Sequence, residues 1–165
     1  MNIPKILNAI RPSASWSCSG TYATLVWHDT VQTKPTLTEI EAAATEANKS
    51  DLKDGISAKR YAVEVAGINF SYRTVQVPVS TAYASQGKID AARNMVRDAA
   101  WVDGSNWKFA DGVFRPMTAA EITDMCTAAR NHIKACFDNE KTKFDEIDAT
   151  GTTDISTGWP ATSKK

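Results

Sequence analysis

The chain has 165 residues, 42% of them apolar and 23% charged, an ordinary composition for a folded protein and not that of collagen, a low-complexity chain or a disulfide-dense toxin. Nineteen Lys and Arg balance nineteen Asp and Glu, so the basic excess on which phosphate neutralisation depends is missing and no nucleic-acid partner is expected. No apolar run approaches the roughly 20 residues that span a bilayer, and Pro4, Lys5 and Asn8 interrupt the N-terminal stretch where a secretory signal needs a longer apolar core. No membrane partner is expected, and a cytoplasm is the expected first compartment.

In chain order, Ile3, Ile6, Leu7 and Ile10 recur at helical spacing and predict a short amphipathic helix stopped by Pro12. Ser15 to Cys18 and Tyr22 to Trp27 predict two strands around Ser19-Gly20-Thr21. Thr36 and Glu39 have capping-box spacing and open a connector helix with a narrow alanine stripe (Ile40, Ala43, Ala44, Ala47), for which Gly55 is the predicted break. The alternation of Tyr61, Val63 and Val65, then Ile68, Phe70 and Tyr72, predicts a hairpin turning at Ala66-Gly67, followed by an irregular stretch ending at Pro78. Tyr83 to Ala100 predicts a helix, and Asn106 to Phe114 a hairpin with Asp111-Gly112 at its turn. Thr118 and Glu121 repeat the capping box and open a long helix to about Asp148, whose stripe is Ile122, Cys126 or Met125, Ala129, Ile133, Cys136 or Phe137, Glu140, Phe144 and Ile147. The residues after Thr150, rich in Thr, Ser and Gly, predict an extended arm that Trp159 could anchor.

The expected fold is therefore α+β. A small N-terminal helix-hairpin module (1–33) and a helical connector (34–59) precede a C-terminal domain of short β-hairpins packed on two helices (60–149). An extended tail follows (150–165). Phe137, Ile133 and Trp107 are the expected core of the C-terminal domain.

The search for chemistry is short. Cys126 and Cys136 lie ten positions apart on one predicted helix, about 15 Å, beyond disulfide reach. A metal site from Cys126, His132 and Cys136 fails because position 126 is nearly two turns from the other two, so buried thiols are expected and no metal. The late carboxylates, Asp138 to Asp148, alternate with Lys141 and Lys143 as a solvated face does. The basic pairs Lys59-Arg60 and Lys164-Lys165 are isolated and most simply keep the chain soluble. Neither a nucleophile elbow nor a phosphate-cradling glycine loop is present, so no catalytic residue and no cofactor is expected. What remains is apolar surface on a segment too small to bury it. Ile3, Ile6, Leu7, Ile10, Trp16, Leu25 and Trp27, with Trp159 at the far end, are the candidate interface residues. Either a partner covers the N-terminal group or the segment folds back on the C-terminal domain; attachment to a partner is the reading preferred.

Several motifs carry a resemblance. They are Gly67-Ile68-Asn69-Phe70, the run from Asn106-Trp107-Lys108 through Asp111-Gly112 to Phe114, and Met117-Thr118-Ala119-Ala120-Glu121. His132-Ile133-Lys134-Ala135-Cys136-Phe137 and a terminal Gly158-Trp159-Pro160 complete them. In this order they resemble a domain of unknown function found in tailed-bacteriophage proteins encoded among tail-fibre and tail-assembly genes. The first segment, with Ile10-Arg11-Pro12, Trp27 and Gln32 to Thr36, resembles the N-terminal piece of such proteins. The stretch Arg73 to Val79 departs from the pattern. The resemblance implies a non-enzymatic structural protein of a phage tail, bound to tail-fibre or baseplate proteins, located in the virion tail and in the host cytoplasm during assembly. A tail-fibre assembly chaperone that binds the fibre tip is the alternative, and a homo-oligomer stays open.

Overall fold

Helix α1 (Ile3–Ile10) forms where the apolar spacing predicts it. Asn2 caps it by accepting the Lys5 amide at 3.1 Å, and Pro4 sits in the first turn, where its missing N–H costs nothing. The computed structural model describes residues 1–163; Lys164 and Lys165 lie outside the described residues. β1 (Trp16–Ser17) and β2 (Val26–Trp27) pair antiparallel, Trp16 opposite Trp27. The second strand is shorter than expected. Tyr22–Thr24 is a 3₁₀ turn, held by Thr24 Oγ1, which donates to the Thr21 carbonyl at 2.9 Å and accepts the Ser19 amide at 3.0 Å.

Helix α2 (Leu37–Glu64) starts at the expected capping box: the Thr36 amide donates to Glu39 Oε2 at 2.7 Å, and the Glu39 amide donates to Thr36 Oγ1 at 3.2 Å. It then runs straight through Gly55, correcting the predicted break. One glycine costs a helix about 1 kcal/mol, and the buried Ile56 beside it holds the turn in place. α2 also takes in Tyr61 to Glu64, correcting the strand expected there. Four residues of alternation fit either period, but Ile56 and Val63 are seven apart and both buried, which is helical spacing. Gly67 ends the connection at φ +85°, where a Cβ would stand 2.8 Å from the Val79 carbonyl oxygen.

The hairpin is consequently displaced. β3 (Ile68–Tyr72) pairs with β4 (Val75–Val79), which occupies the stretch expected to be irregular, and the turn falls at Arg73-Thr74. Pro78 is tolerated because in a two-stranded ladder every strand is an edge. Helix α3 (Tyr83–Arg97) follows, then β5 (Ser105–Lys108) and β6 (Phe114–Met117), paired antiparallel around the expected Asp111-Gly112 turn. Helix α4 (Ala119–Thr150) opens on the second capping box, Thr118 amide to Glu121 Oε2 at 2.8 Å and Glu121 amide to Thr118 Oγ1 at 3.2 Å. The Thr118 amide, above all, holds the Glu121 carboxyl below its usual range. Its stabilising effect is thus present at neutral pH and lost as pH falls through the lowered value. The architecture is α+β.

The chain divides into two units, residues 1–54 with 146–153, and residues 55–145 with 154–165. The boundaries differ from the expected 1–33, 34–59 and 60–149: the connector is not a separate piece, because its first half packs with the N-terminal segment. In the first unit Ile3, Ile6, Leu7 and Leu25 are buried with Ile40, and Ala43 and Ala44 pack against them. In the second unit β3, β4, α3, β6 and α4 share one core, in which Phe70, Val77, Ile89, Met117, Ile122 and Met125 are buried. α4 lies antiparallel to the end of α2 there, with His132 Nε2 at 3.0 Å from the Val63 carbonyl and Arg60 beside Glu140.

Of the expected core trio, Trp107 packs at the edge of this core and Ile133 is half-buried, but Phe137 is 47% exposed. His132 and Cys136 take the inward positions instead, one turn apart. Phe137→Ala is therefore expected to cost less than about 1 kcal/mol in a denaturant melt, the worth of an exposed cation–π contact; a loss above 3 kcal/mol would place the ring in the core after all.

Candidate functional site

Four of the eight expected interface residues are not at the surface. Ile3, Ile6, Leu7 and Leu25 are buried inside the first unit, and Ile10, Trp16 and Trp27 are half-buried against the same cluster. Ile40 is buried with this cluster and Ala43 and Ala44 of α2 pack against it, so the N-terminal segment has cover within its own unit, a packing that neither expected reading included. Trp159 is half-buried and its indole N–H donates to the Ile155 carbonyl at 2.9 Å. The arm carrying it is strapped within the second unit by Asn139, whose side-chain amide donates to the Thr157 carbonyl at 3.2 Å, and by the Ser163 amide, which donates to the Gly67 carbonyl at 3.0 Å.

A different group of residues stands out. At the end of α2, Tyr61 is 46% exposed and its ring lies 5.7 Å from that of Tyr83, itself 58% exposed at the start of α3. The Arg60 guanidinium lies over the exposed Phe137 ring at 4.6 Å. Three exposed aromatic rings thus gather around one arginine on a face built from α2, α3 and α4.

This face rests on a buried polar network. Glu64 is 2% exposed and accepts a hydrogen bond from Arg60 Nη1. Gln86 Nε2 donates to Glu64 Oε1 at 3.3 Å and to the Thr81 carbonyl at 2.8 Å. Thr81, fully buried, accepts the Gly67 amide at 2.9 Å and donates to the Glu64 carbonyl. Glu140 Oε2 stands 3.3 Å from Arg60 Nε, close enough for an ion pair but not aligned as a hydrogen bond. Burial works against the Arg60 charge, but the Glu64 hydrogen bond, the Tyr83 hydroxyl and Glu140 outweigh it and raise its pKa. Arg60 is therefore a permanently charged, tightly held side chain whose guanidinium plane lies over the Phe137 ring.

The nearby thiol has no such activation. Cys136 Sγ is 3.9 Å from His132 Nε2, but that nitrogen faces the Val63 carbonyl, so it carries the proton and cannot accept one from the thiol. Burial, chiefly, pushes Cys136 and Cys126 up to about 11 each. At pH 8, iodoacetamide should modify the half-exposed Cys18 of the folded chain and leave Cys126 and Cys136 unmodified until denaturant is added. Peptide mapping by mass spectrometry reads the result, and rapid native modification of Cys136 would contradict the buried, unactivated thiol. Among the described residues no group of three His, Cys, Asp or Glu side chains is placed to hold a metal ion, and no helix is long and apolar enough to cross a membrane. The late acidic stretch is only partly the solvated face expected: Lys141 pairs with Asp145 at 2.7 Å in solvent, whereas Lys143 is buried and Glu140 serves Arg60.

Sequence reasoning missed this site because it read Tyr61 to Val65 as a strand. As a helix, Arg60 and Glu64 at i and i+4 would have signalled an ion pair; Tyr83, Glu140 and Phe137 arrive from distant elements and carry no local signal. No curated protein and no solved structure matches the chain. A family model described as a domain of unknown function (DUF4376) matches residues 46–157, which take in Arg60, Tyr61, Tyr83 and Phe137, and the chain belongs to that family.

Proposed function

We propose that this chain is a non-enzymatic structural protein of a bacteriophage tail, joined to tail-fibre or baseplate proteins through protein–protein contacts, and that Tyr61, Tyr83, Phe137 and Arg60 form a contact face. The observation that carries the contact role is the gathering of three exposed aromatic rings around a held arginine. Tyrosine and arginine are the residue types that dominate binding energy at protein interfaces, and aromatic side chains are enriched there. The rings bring large contact area at low conformational cost, and the Glu64 network beneath them means little order has to be gained on binding. The tail assignment rests on the resemblance of the Trp107-Lys108 hairpin, the α4 motif and Gly158-Trp159-Pro160 to phage tail proteins.

The test pairs two measurements. In purified virions the chain should stand at a fixed ratio to the fibre or baseplate proteins, and in co-expression it should co-purify with one of them. The Tyr61→Ala/Phe137→Ala variant changes two exposed residues, so it should stay folded and lose at least tenfold in that association. Retained binding would remove the face from the contact. Absence from virions with retained binding to the fibre would instead support the assembly-chaperone reading.

A further inference from the structure

A second feature of the residue 55–145 unit lies outside the aromatic face. An open cleft of about 440 Å³ separates the start of α3 from the β5 strand and the loop after it. Its floor is apolar, from the buried Val79 and Phe109, and the half-buried Trp107 forms a wall. Lys88 of α3 and Lys108 of β5 line it from different elements, and Ser80 and Ser85 complete it.

The polar side chains of this cleft are unevenly matched. No carboxylate lines it. The carboxylate two residues from Lys88, Asp90, is engaged by Arg130 at 2.5 Å, and the carboxylate three residues from Lys108, Asp111, is engaged by Arg115 at 2.7 Å. Neither lysine has a carboxylate partner among the described residues; Lys108 meets only the Phe114 ring, at 5.5 Å. Ser80 Oγ accepts from the Ser85 hydroxyl at 2.9 Å and from the Ala82 amide at 3.4 Å, which leaves its own proton to donate. Trp27, Trp101 and Trp159 each donate their indole N–H to a backbone carbonyl, at 2.8, 3.1 and 2.9 Å. Trp107 has no such acceptor among the described residues. Two cations and two neutral donors therefore surround an apolar floor in a chain whose formal net charge is zero.

We propose that this cleft takes a short acidic segment of a partner protein, with one apolar side chain seated on Trp107 and Phe109 and flanking carboxylates meeting Lys88 and Lys108. The occupant follows from the donor set. Two separate point charges on different elements call for two carboxylates, and the apolar floor between them calls for a side chain, not for a hydrated ion. In an extended segment the two residues flanking the seated side chain stand about 6.6 Å apart and point away from the floor, towards the rim, where flexible lysines can reach their carboxylates, and the backbone carbonyls between them are acceptors for the Trp107 indole and the Ser80 hydroxyl. Lysine suits carboxylates that vary in position, since it acts as a flexible point charge and not as a fixed fork.

Fluorescence polarisation of the full chain with a fluorescein-labelled Gly-Asp-Leu-Asp-Gly peptide tests this. Saturable binding that weakens with salt is expected, with none by Gly-Lys-Leu-Lys-Gly. Lys88→Glu/Lys108→Glu should weaken it at least tenfold, Lys88→Arg/Lys108→Arg should retain it, and Trp107→Phe should weaken it several-fold. Both lysines are exposed, so these variants keep the fold, and circular dichroism verifies it. Absence of binding at millimolar peptide, equal binding of the lysine peptide, or unchanged affinity of the charge-reversed variant overturns the proposal. So does full displacement by an equal concentration of acetate or inorganic phosphate, which would make the cleft a small-anion site. Peptide binding should survive in Tyr61→Ala/Phe137→Ala, so the two faces succeed or fail separately.

Discussion

Arg60→Met should destabilise the chain by about 3–5 kcal/mol, the usual cost of removing one partner from a buried ion pair. Glu64 is almost completely buried and would be left with only Gln86 to answer its carboxyl group, while Glu140 would lose its neighbour. The cost comes from the carboxylate left behind and not from the contact itself. Arg60→Met/Glu64→Leu should therefore recover most of the loss, because it takes away the charge that the single variant strands. Urea melts of the wild type and both variants decide this. A loss below 1 kcal/mol for the single variant, or a double variant no better than the single, would mean that water reaches Glu64. The double variant also separates stability from binding: it folds without the guanidinium beside Phe137 and Tyr83, and so should associate with the proposed fibre or baseplate partner less well than its stability implies.

Leu7→Ala should cost about 2–5 kcal/mol, the range for a fully buried leucine that leaves a cavity. Leu7 is 0% exposed, in one buried cluster with Ile3, Ile6, Leu25 and Ile40. The effect belongs to the isolated chain and needs no partner. If a partner covered α1, the same substitution would leave the melt of the purified protein within about 0.5 kcal/mol and appear only in binding. The measurement thus decides directly between internal packing and attachment for the N-terminal segment. Residues 1–54 make up most of one unit, so the loss should be visible with a probe in that unit, such as the fluorescence of Trp16 and Trp27.

The amino-acid sequence by itself determined the features that depend on neighbours within a turn or two. Both capping boxes, the stripe of α1, the Asp111-Gly112 turn and the long run of α4 were legible, because a cap, a turn or a period is closed by residues at most a few positions apart. The α+β class followed from these. Tertiary structure decided everything that required a distant residue. Tyr61 to Glu64 alternates like a strand, yet it continues α2 because Val63 meets His132, sixty-nine positions on, and Glu64 meets Gln86. Phe137 lies next to the apolar stripe, and a rotation of α4 by one position puts Cys136 inside and the ring outside. The N-terminal apolar residues looked unpartnered because their cover, Ile40 with Ala43 and Ala44, reads in sequence as a thin alanine stripe. Burial is a property of what lies opposite. The sequence names the faces, and only the packed chain determines which face meets which.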